Sequence, residues 1–372
     1  FIMCGGLAAL AVGFAEFFGS FIPAAGMGVR VLHVSLFGLS YTLSAGQVVA
    51  AAAILLLTLV NTFGIRAGVA VQNLLTVFRI GAVLAIIILG VLFGTKNGSS
   101  NFHPLFQGMP AFWTLLKPLG LALVAVFWTY DGWYSVNCTA EEIRDPERNI
   151  PRGLALGVAG IALLYVLTNL VYLLALPIER LKGVTRVGEL VTTSLFGGRV
   201  SAAISAVIMV SVFGCLNANL LFGPRVYYAM AKDGSFFRGM ARLSPRWRVP
   251  ALALWGQAAW SAVLCLTGTY EALYEYMVFA LLVFFAATGL AVIVLRKRHP
   301  EVRRPYRTTG YPVVPAVFIA VSLAIFLNIL ASQPWKSAAG LALLGAGLPA
   351  YFLWRRRRPG TGPQGTKGTE KE

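Results

Sequence analysis

The chain has 372 residues, of which 58% are hydrophobic and 12% charged, and a formal net charge of +17. Soluble domains carry about 25% charged residues, so this composition, with a mean hydropathy of +0.74 and apolar residues gathered in long uncharged runs, excludes a soluble globular protein and predicts a polytopic membrane protein. The positive balance does not point to nucleic acid, because the basic residues sit in short loops between apolar runs, where membrane topology accounts for them.

Ten apolar runs follow in order, near residues 1–22, 46–65, 69–93, 117–138, 153–176, 200–230, 251–267, 273–295, 313–330 and 338–354. A helix needs about 20 residues to cross the hydrocarbon, so each run is read as a span. The chain opens inside the first run, at Phe1, without a visible signal peptide, and reads as truncated at its start. Of the 31 Lys and Arg residues, 22 fall in loops on the side of the C-terminus and 8 in the opposite loops, which predicts a cytoplasmic C-terminus in the plasma (inner) membrane. The remaining one, Arg79, lies in the middle of a run. An arginine at the bilayer centre costs about 2.5–3.5 kcal/mol, so it should face the bundle interior with a partner; the bland alternative is a snorkelling side chain near a span end.

The fourth run is the unusual one. It enters Trp128-Thr129-Tyr130-Asp131-Gly132-Trp133 and ends in Glu141-Glu142-Ile143-Arg144-Asp145-Pro146-Glu147-Arg148-Asn149-Ile150-Pro151. Glycine weakens a helix and a carboxylate is costly in hydrocarbon. Broken helices at membrane depth survive where protein or a water-filled cavity covers the freed backbone groups, and in transporters such breaks hold the substrate. A passive kinked span is the alternative. The four cysteines, Cys4, Cys138, Cys215 and Cys265, have no metal or disulfide spacing and read as small core residues. His33, His103 and His299 lie in loops, and neither a His-Glu-x-x-His motif nor an intramembrane carboxylate pair is present; no enzyme, cofactor or metal is expected.

The stretch Trp128–Trp133, then Thr139-Ala140-Glu141-Glu142, then Asp145–Pro151, resembles the sixth span and following loop of the amino acid–polyamine–organocation (APC) superfamily of permeases, with the L-type amino acid transporter branch and its bacterial relatives nearest in pattern. The likeness extends through Phe213-Gly214-x-x-Asn217, the Arg225 segment closed by Lys232-Asp233-Gly234, and Leu295–Glu301. The resemblance implies an all-α, LeuT-type inverted-repeat fold with about ten of its twelve spans present. It would divide the chain into 1–95 (remainder of the first repeat), 96–310 (second repeat, with a broken helix near 128–133), 311–355 (two final spans) and 356–372 (a disordered cytoplasmic tail). It further implies substrate contacts from Trp128, Thr129, Tyr130, Asp131 and Gly132, with backbone carbonyls near the break taking the α-amino group and Trp128 as a gating aromatic. Gly214 and Asn217 would line the pocket from one helix face, with Phe279 as a wall residue; the bland reading of Gly214 and Asn217 is a small-residue packing face with an interhelical hydrogen bond. Arg79 would stand where sodium-coupled relatives hold an ion, and Glu141, Glu142 and Arg148 would form a cytoplasmic gate. Asp131 departs from the branch, which has glycine there: it could pair with the ammonium, carry a proton or cap the break.

The expected function is a secondary transporter of amino acids, neutral ones first, working by alternating access as an exchanger or facilitator. A proton-coupled amino acid or polyamine transporter is the alternative, and a non-transporting sensor or scaffold the alternative of another class. The expected partners are a small-molecule amino acid and membrane lipid. Animal L-type carriers bind a glycoprotein through a cysteine between spans three and four; the matching loop, 19–45, has no cysteine, so no disulfide-linked heavy subunit is expected.

Overall fold

The computed structural model describes residues 2–36, 39–93, 96–102, 111–184, 186–267, 270–304 and 306–356. The expected tail from residue 357 on, with the last two of the arginines Arg355–Arg358, lies outside them. The chain folds into α1 (Ile2–Phe21), a hairpin of β1 (Arg30–Leu36) and β2 (Leu39–Ser44), α2 (Ala45–Thr62), α3 (Ile65–Phe93) and α4 (Phe112–Thr129). A 3-10 run, Trp133–Glu142, leads into α5 (Pro146–Ala175), the short α6 (Ile178–Leu181), α7 (Val187–Phe196) and α8 (Gly198–Lys232). The chain ends in α9 (Ala251–Thr267), α10 (Tyr270–Arg298), α11 (Val313–Ser332), α12 (Pro334–Gly345) and α13 (Gly347–Arg356).

The all-α membrane architecture matches the expectation, with eight helices long and apolar enough to cross a membrane among the described residues. Two of the ten runs fall short of that. α9 has 17 residues, about 26 Å at 1.5 Å per residue, against about 30 Å of hydrocarbon. The last run is cut at Ala346 into α12 and α13, between Gly345 and Gly347, residues that weaken a continuing helix. The 19–45 stretch, expected as a loop, forms the hairpin, paired antiparallel from Leu36↔Leu39 to Arg30↔Ser44. Ser44 then caps α2: its hydroxyl accepts from the Gln47 N–H while the Gln47 side chain accepts from the Ser44 N–H, two orphan donors satisfied at once.

The core is built around α1, which touches α2, α8, α9 and α10. Its buried face is made of small residues, Gly5, Gly6, Ala8, Ala9, Ala11 and Ala15, with Leu7 and Val12 between them. Small side chains let helix backbones approach closely where lipid supplies no hydrophobic drive between helices. Leu7, Val12, Ile54, Leu216, Leu220 and Leu254 belong to this first cluster. A second joins Val124 of α4, Val278, Phe279 and Leu282 of α10, and Ile325 and Ile329 of α11. Trp128 and Tyr274 pack against both clusters, so the end of α4 sits at the junction of the two cores.

Candidate functional site at the break after α4

The end of α4 follows from local backbone chemistry. Tyr130 N–H still reaches the Val126 carbonyl at 3.0 Å, but Asp131 N–H tightens onto Trp128 at 3.2 Å. Gly132 then takes φ +100°, a left-handed conformation that only glycine adopts without a Cβ penalty. A Cβ there would meet no atom within 4 Å, so the requirement is one of backbone conformation alone. The chain resumes as ten residues of 3-10 helix, although such runs rarely exceed 3–4 residues and longer ones mark hinges or strain. α4 is therefore interrupted at the expected residues.

Asp131 sits at this break, beside the Tyr134 hydroxyl and the Gly132 N–H. Its Oδ1 is buried without a hydrogen-bond partner. The carbonyls expected to take an ammonium are already engaged once each: that of Trp128 by Asp131 N–H and that of Thr129 by the Tyr165 hydroxyl at 3.0 Å. One oxygen of the Asp131 carboxylate is thus an open acceptor at the break.

Aromatic side chains cluster around the end of α4. Trp128 donates its indole N–H to the Tyr270 hydroxyl at 2.8 Å and stacks on Tyr274, with ring centres 5.7 Å apart. Tyr130 meets the edge of Tyr165 at 5.2 Å. Trp133 packs against Phe285 and Tyr134.

Arg79 faces the bundle interior, as expected, and its partner is Ser211 of α8. Its Nε donates to the Ser211 hydroxyl and its Nη2 to the Ser211 carbonyl, both at 3.0 Å. One turn further along α8, Gly214 leaves room for this side chain: a Cβ there would lie 3.0 Å from Arg79 Nη2 and from Leu75 Cβ. Gly214 thus serves the close approach of α3 and α8.

The remaining predicted residues lie elsewhere. Asn217 is fully buried and its amide is held by α2 and α3: Nδ2 donates to the Gly68 carbonyl at 3.0 Å and to Gln72 at 3.3 Å, and Oδ1 accepts from Asn61 at 2.8 Å. Phe279 is buried in the second core cluster, stacked on Phe326 at 4.8 Å. Arg148 is exposed in the first turn of α5, and the side chains of Glu141 and Glu142 lie outside the described residues. Tyr165, Ser211, Tyr270 and Tyr274 were not anticipated. Tyr165, Ser211 and Tyr274 show in the sequence only as a polar atom in an apolar run, and Tyr270 falls between two runs.

Residues 1–344 match the amino acid permease family. The chain is similar to the serine/threonine exchanger SteT of Bacillus subtilis, 29% identical over 343 residues, covering 91% of this chain and 75% of that protein. It is similar to the b(0,+)-type amino acid transporter 1 of Mus musculus, 29% identical over 314 residues, covering 83% of this chain and 62% of that protein. It is also similar to the large neutral amino acids transporter small subunit 2 of Mus musculus, 29% identical over 318 residues, covering 82% of this chain and 57% of that protein. The chain spans less than two thirds of the length of these two animal relatives. The match over nearly the whole chain, together with its apolar helices and the interrupted α4, leads to one assignment: the chain belongs to the amino acid permease family, and is a multi-pass membrane protein.

Proposed function

We propose that the protein is an amino acid exchanger that works by alternating access across the plasma (inner) membrane, with its C-terminus in the cytoplasm. The observation that carries this is the interrupted α4, where Asp131 Oδ1 is buried without a hydrogen-bond partner and Trp128, at the same helix end, packs on Tyr270 and Tyr274. Asp131 Oδ1 accepts the substrate α-ammonium, and Trp128 closes over the substrate. Gly132 supplies the hinge between α4 and the 3-10 run. Arg79, tied to Ser211, is a fixed positive charge between α3 and α8, and arginine stays protonated at any usable pH. That favours exchange without ion coupling. The inverted-repeat division at residues 95 and 310 belongs to the same reading.

The relatives differ in what their names say they carry: serine and threonine for one, large neutral amino acids for another. Neutral side chains are proposed here, since apolar residues dominate the surroundings of the break. Proton coupling is the second reading, favoured by the same Asp131 oxygen. The two separate in proteoliposomes preloaded with unlabelled amino acid. Exchange predicts uptake that needs internal substrate and ignores pH and sodium; uptake into empty vesicles driven by a pH gradient would favour the proton-coupled reading. Absence of uptake for every amino acid would favour a polyamine carrier or a sensor.

The protein is further proposed to work without a disulfide-linked subunit, because 19–45 forms a hairpin region that contains no cysteine. A non-reducing gel of the protein from its native membrane should show one band at the monomer mass. A band that collapses on reduction would overturn this.

A further inference from the structure

Trp128 stands in the last turn of α4, and its side chain is held at two points by one neighbouring helix. An indole has a single N–H and no acceptor. That N–H is given to the Tyr270 hydroxyl at 2.8 Å. The indole face is stacked on Tyr274, with ring centres 5.7 Å apart and 25° between the planes. Tyr270 meets the indole edge-on, at 6.2 Å and 74°, one of the favoured aromatic geometries. Tyr270 and Tyr274 are four residues apart in the first two turns of α10 and share a face of it. α10 ends in Arg296, Lys297 and Arg298, on the side of the basic loops, so the two tyrosines stand at its outer end.

The two tyrosines are themselves braced. Their rings lie 5.3 Å apart, and both pack against the first core cluster. Trp128, by contrast, belongs to the helix that breaks. A helical side chain leans back over the turn N-terminal to its own Cα. The second cluster, against which Trp128 also packs, contains Val124, one turn back along α4. Asp131, with its open oxygen, follows the end of α4 in the opposite direction along the chain.

We propose that Tyr270 is a positioning residue for the transport step: with Tyr274 it forms a seat that holds the Trp128 gate open, and the indole leaves this seat to close over a bound amino acid. The assignment deepens the reading of Trp128 as the gate and rests on it. The bond to Tyr270 belongs to the open gate alone, because the indole must leave α10 to cover the break. Loosening the seat therefore shifts the population toward the closed form and tightens apparent substrate binding. Damage to packing would do the opposite, weakening binding or slowing transport at unchanged affinity.

The test uses the full-length protein in proteoliposomes and Tyr270→Phe, which keeps the ring and loses the acceptor. Counterflow of labelled L-serine and L-leucine is measured from the outer face. Tyr270→Phe should lower the outer-face KM about threefold to tenfold, the range for one hydrogen bond, with no rise in Vmax. Trp128→Phe removes the donor, so adding Tyr270→Phe to it should change KM by less than about twofold. A second readout needs no transport. In protein labelled with fluorotryptophan, the Trp128 fluorine resonance is the one lost in Trp128→Phe. It should shift in Tyr270→Phe, and it should shift in the unaltered protein when the carried amino acid, L-serine or L-leucine, is added. An unchanged or raised KM in Tyr270→Phe, additive effects in the double variant, or a Trp128 resonance indifferent to Tyr270→Phe would overturn the seat and leave the transporter reading standing. A resonance that answers to Tyr270→Phe but to neither amino acid, with no uptake of either, would overturn the transporter reading and the gate role with it.

Discussion

A carboxylate buried at a helix break with one oxygen bare must be met by a donor at some stage of the cycle, because an unsatisfied buried acceptor costs about 1–3 kcal/mol. If the donor is the substrate ammonium, Asp131→Asn should raise the substrate KM about tenfold to a hundredfold, the equivalent of losing a charge-assisted hydrogen bond of about 1.5–3 kcal/mol. Saturation kinetics of counterflow would show it, and an unchanged KM would assign Asp131 to the helix break alone. At Arg79, alanine removes both bonds to Ser211 and should abolish or uncouple transport. Lysine should keep activity and gain pH dependence, since a buried lysine can lose its proton. Uptake by Arg79→Ala at the level of the unaltered protein would remove the fixed-charge role. Asp131, Gly132 and Arg79 were legible in the sequence because each breaks a rule of lipid-facing helices. Tyr165 and Ser211 were not: their partners lie 36 and 132 residues away, and Tyr or Ser in an apolar run carries no mark of what it will meet. Asn217 was read as a pocket residue or a packing residue, and its amide bonds to α2 and α3 match the packing reading.

Between elements, the approach of α3 to α8 decides whether Arg79 can reach Ser211. Gly214→Ala would put a methyl 3.0 Å from both Leu75 Cβ and Arg79 Nη2, so the helices must part or the arginine must move. Transport by this variant should fall at least tenfold. Gly13→Ala in α1 would meet the Tyr270 ring at 3.4 Å, an ordinary contact, and should be near neutral. Equal activity in the two variants would contradict the close-approach role of Gly214. The elements missed in the sequence have local causes. In 30–44, Val31, Val34, Tyr41 and Thr42 are strand-forming residue types, but the stretch is too short and mixed for a span and was read only as a connection. The hairpin is anchored over α9, with the Tyr41 hydroxyl and the Gln47 side chain both donating to the Leu266 carbonyl. α9 reads as a span by composition and falls short by length. Pro250 precedes it, and Ala253, Gln257, Ser261 and Cys265 bury one face of it in the bundle.

Across the whole molecule, the fold class was legible because apolar runs of about 20 residues have few alternatives in a bilayer. What the runs could not convey is their arrangement: that α1, with its small-residue face, sits at the centre, and that Trp128 joins the two core clusters. Its place there makes the break the point where the two core clusters meet. The central claim, proposed above, is that the break binds an amino acid in a cycle that runs without ion coupling. Counterflow in proteoliposomes tests it most directly, with labelled neutral amino acid outside and the pH and sodium gradients varied independently. The account predicts uptake only into vesicles preloaded with amino acid, at a rate indifferent to both gradients. Uptake into empty vesicles that rises with an imposed pH gradient would contradict it.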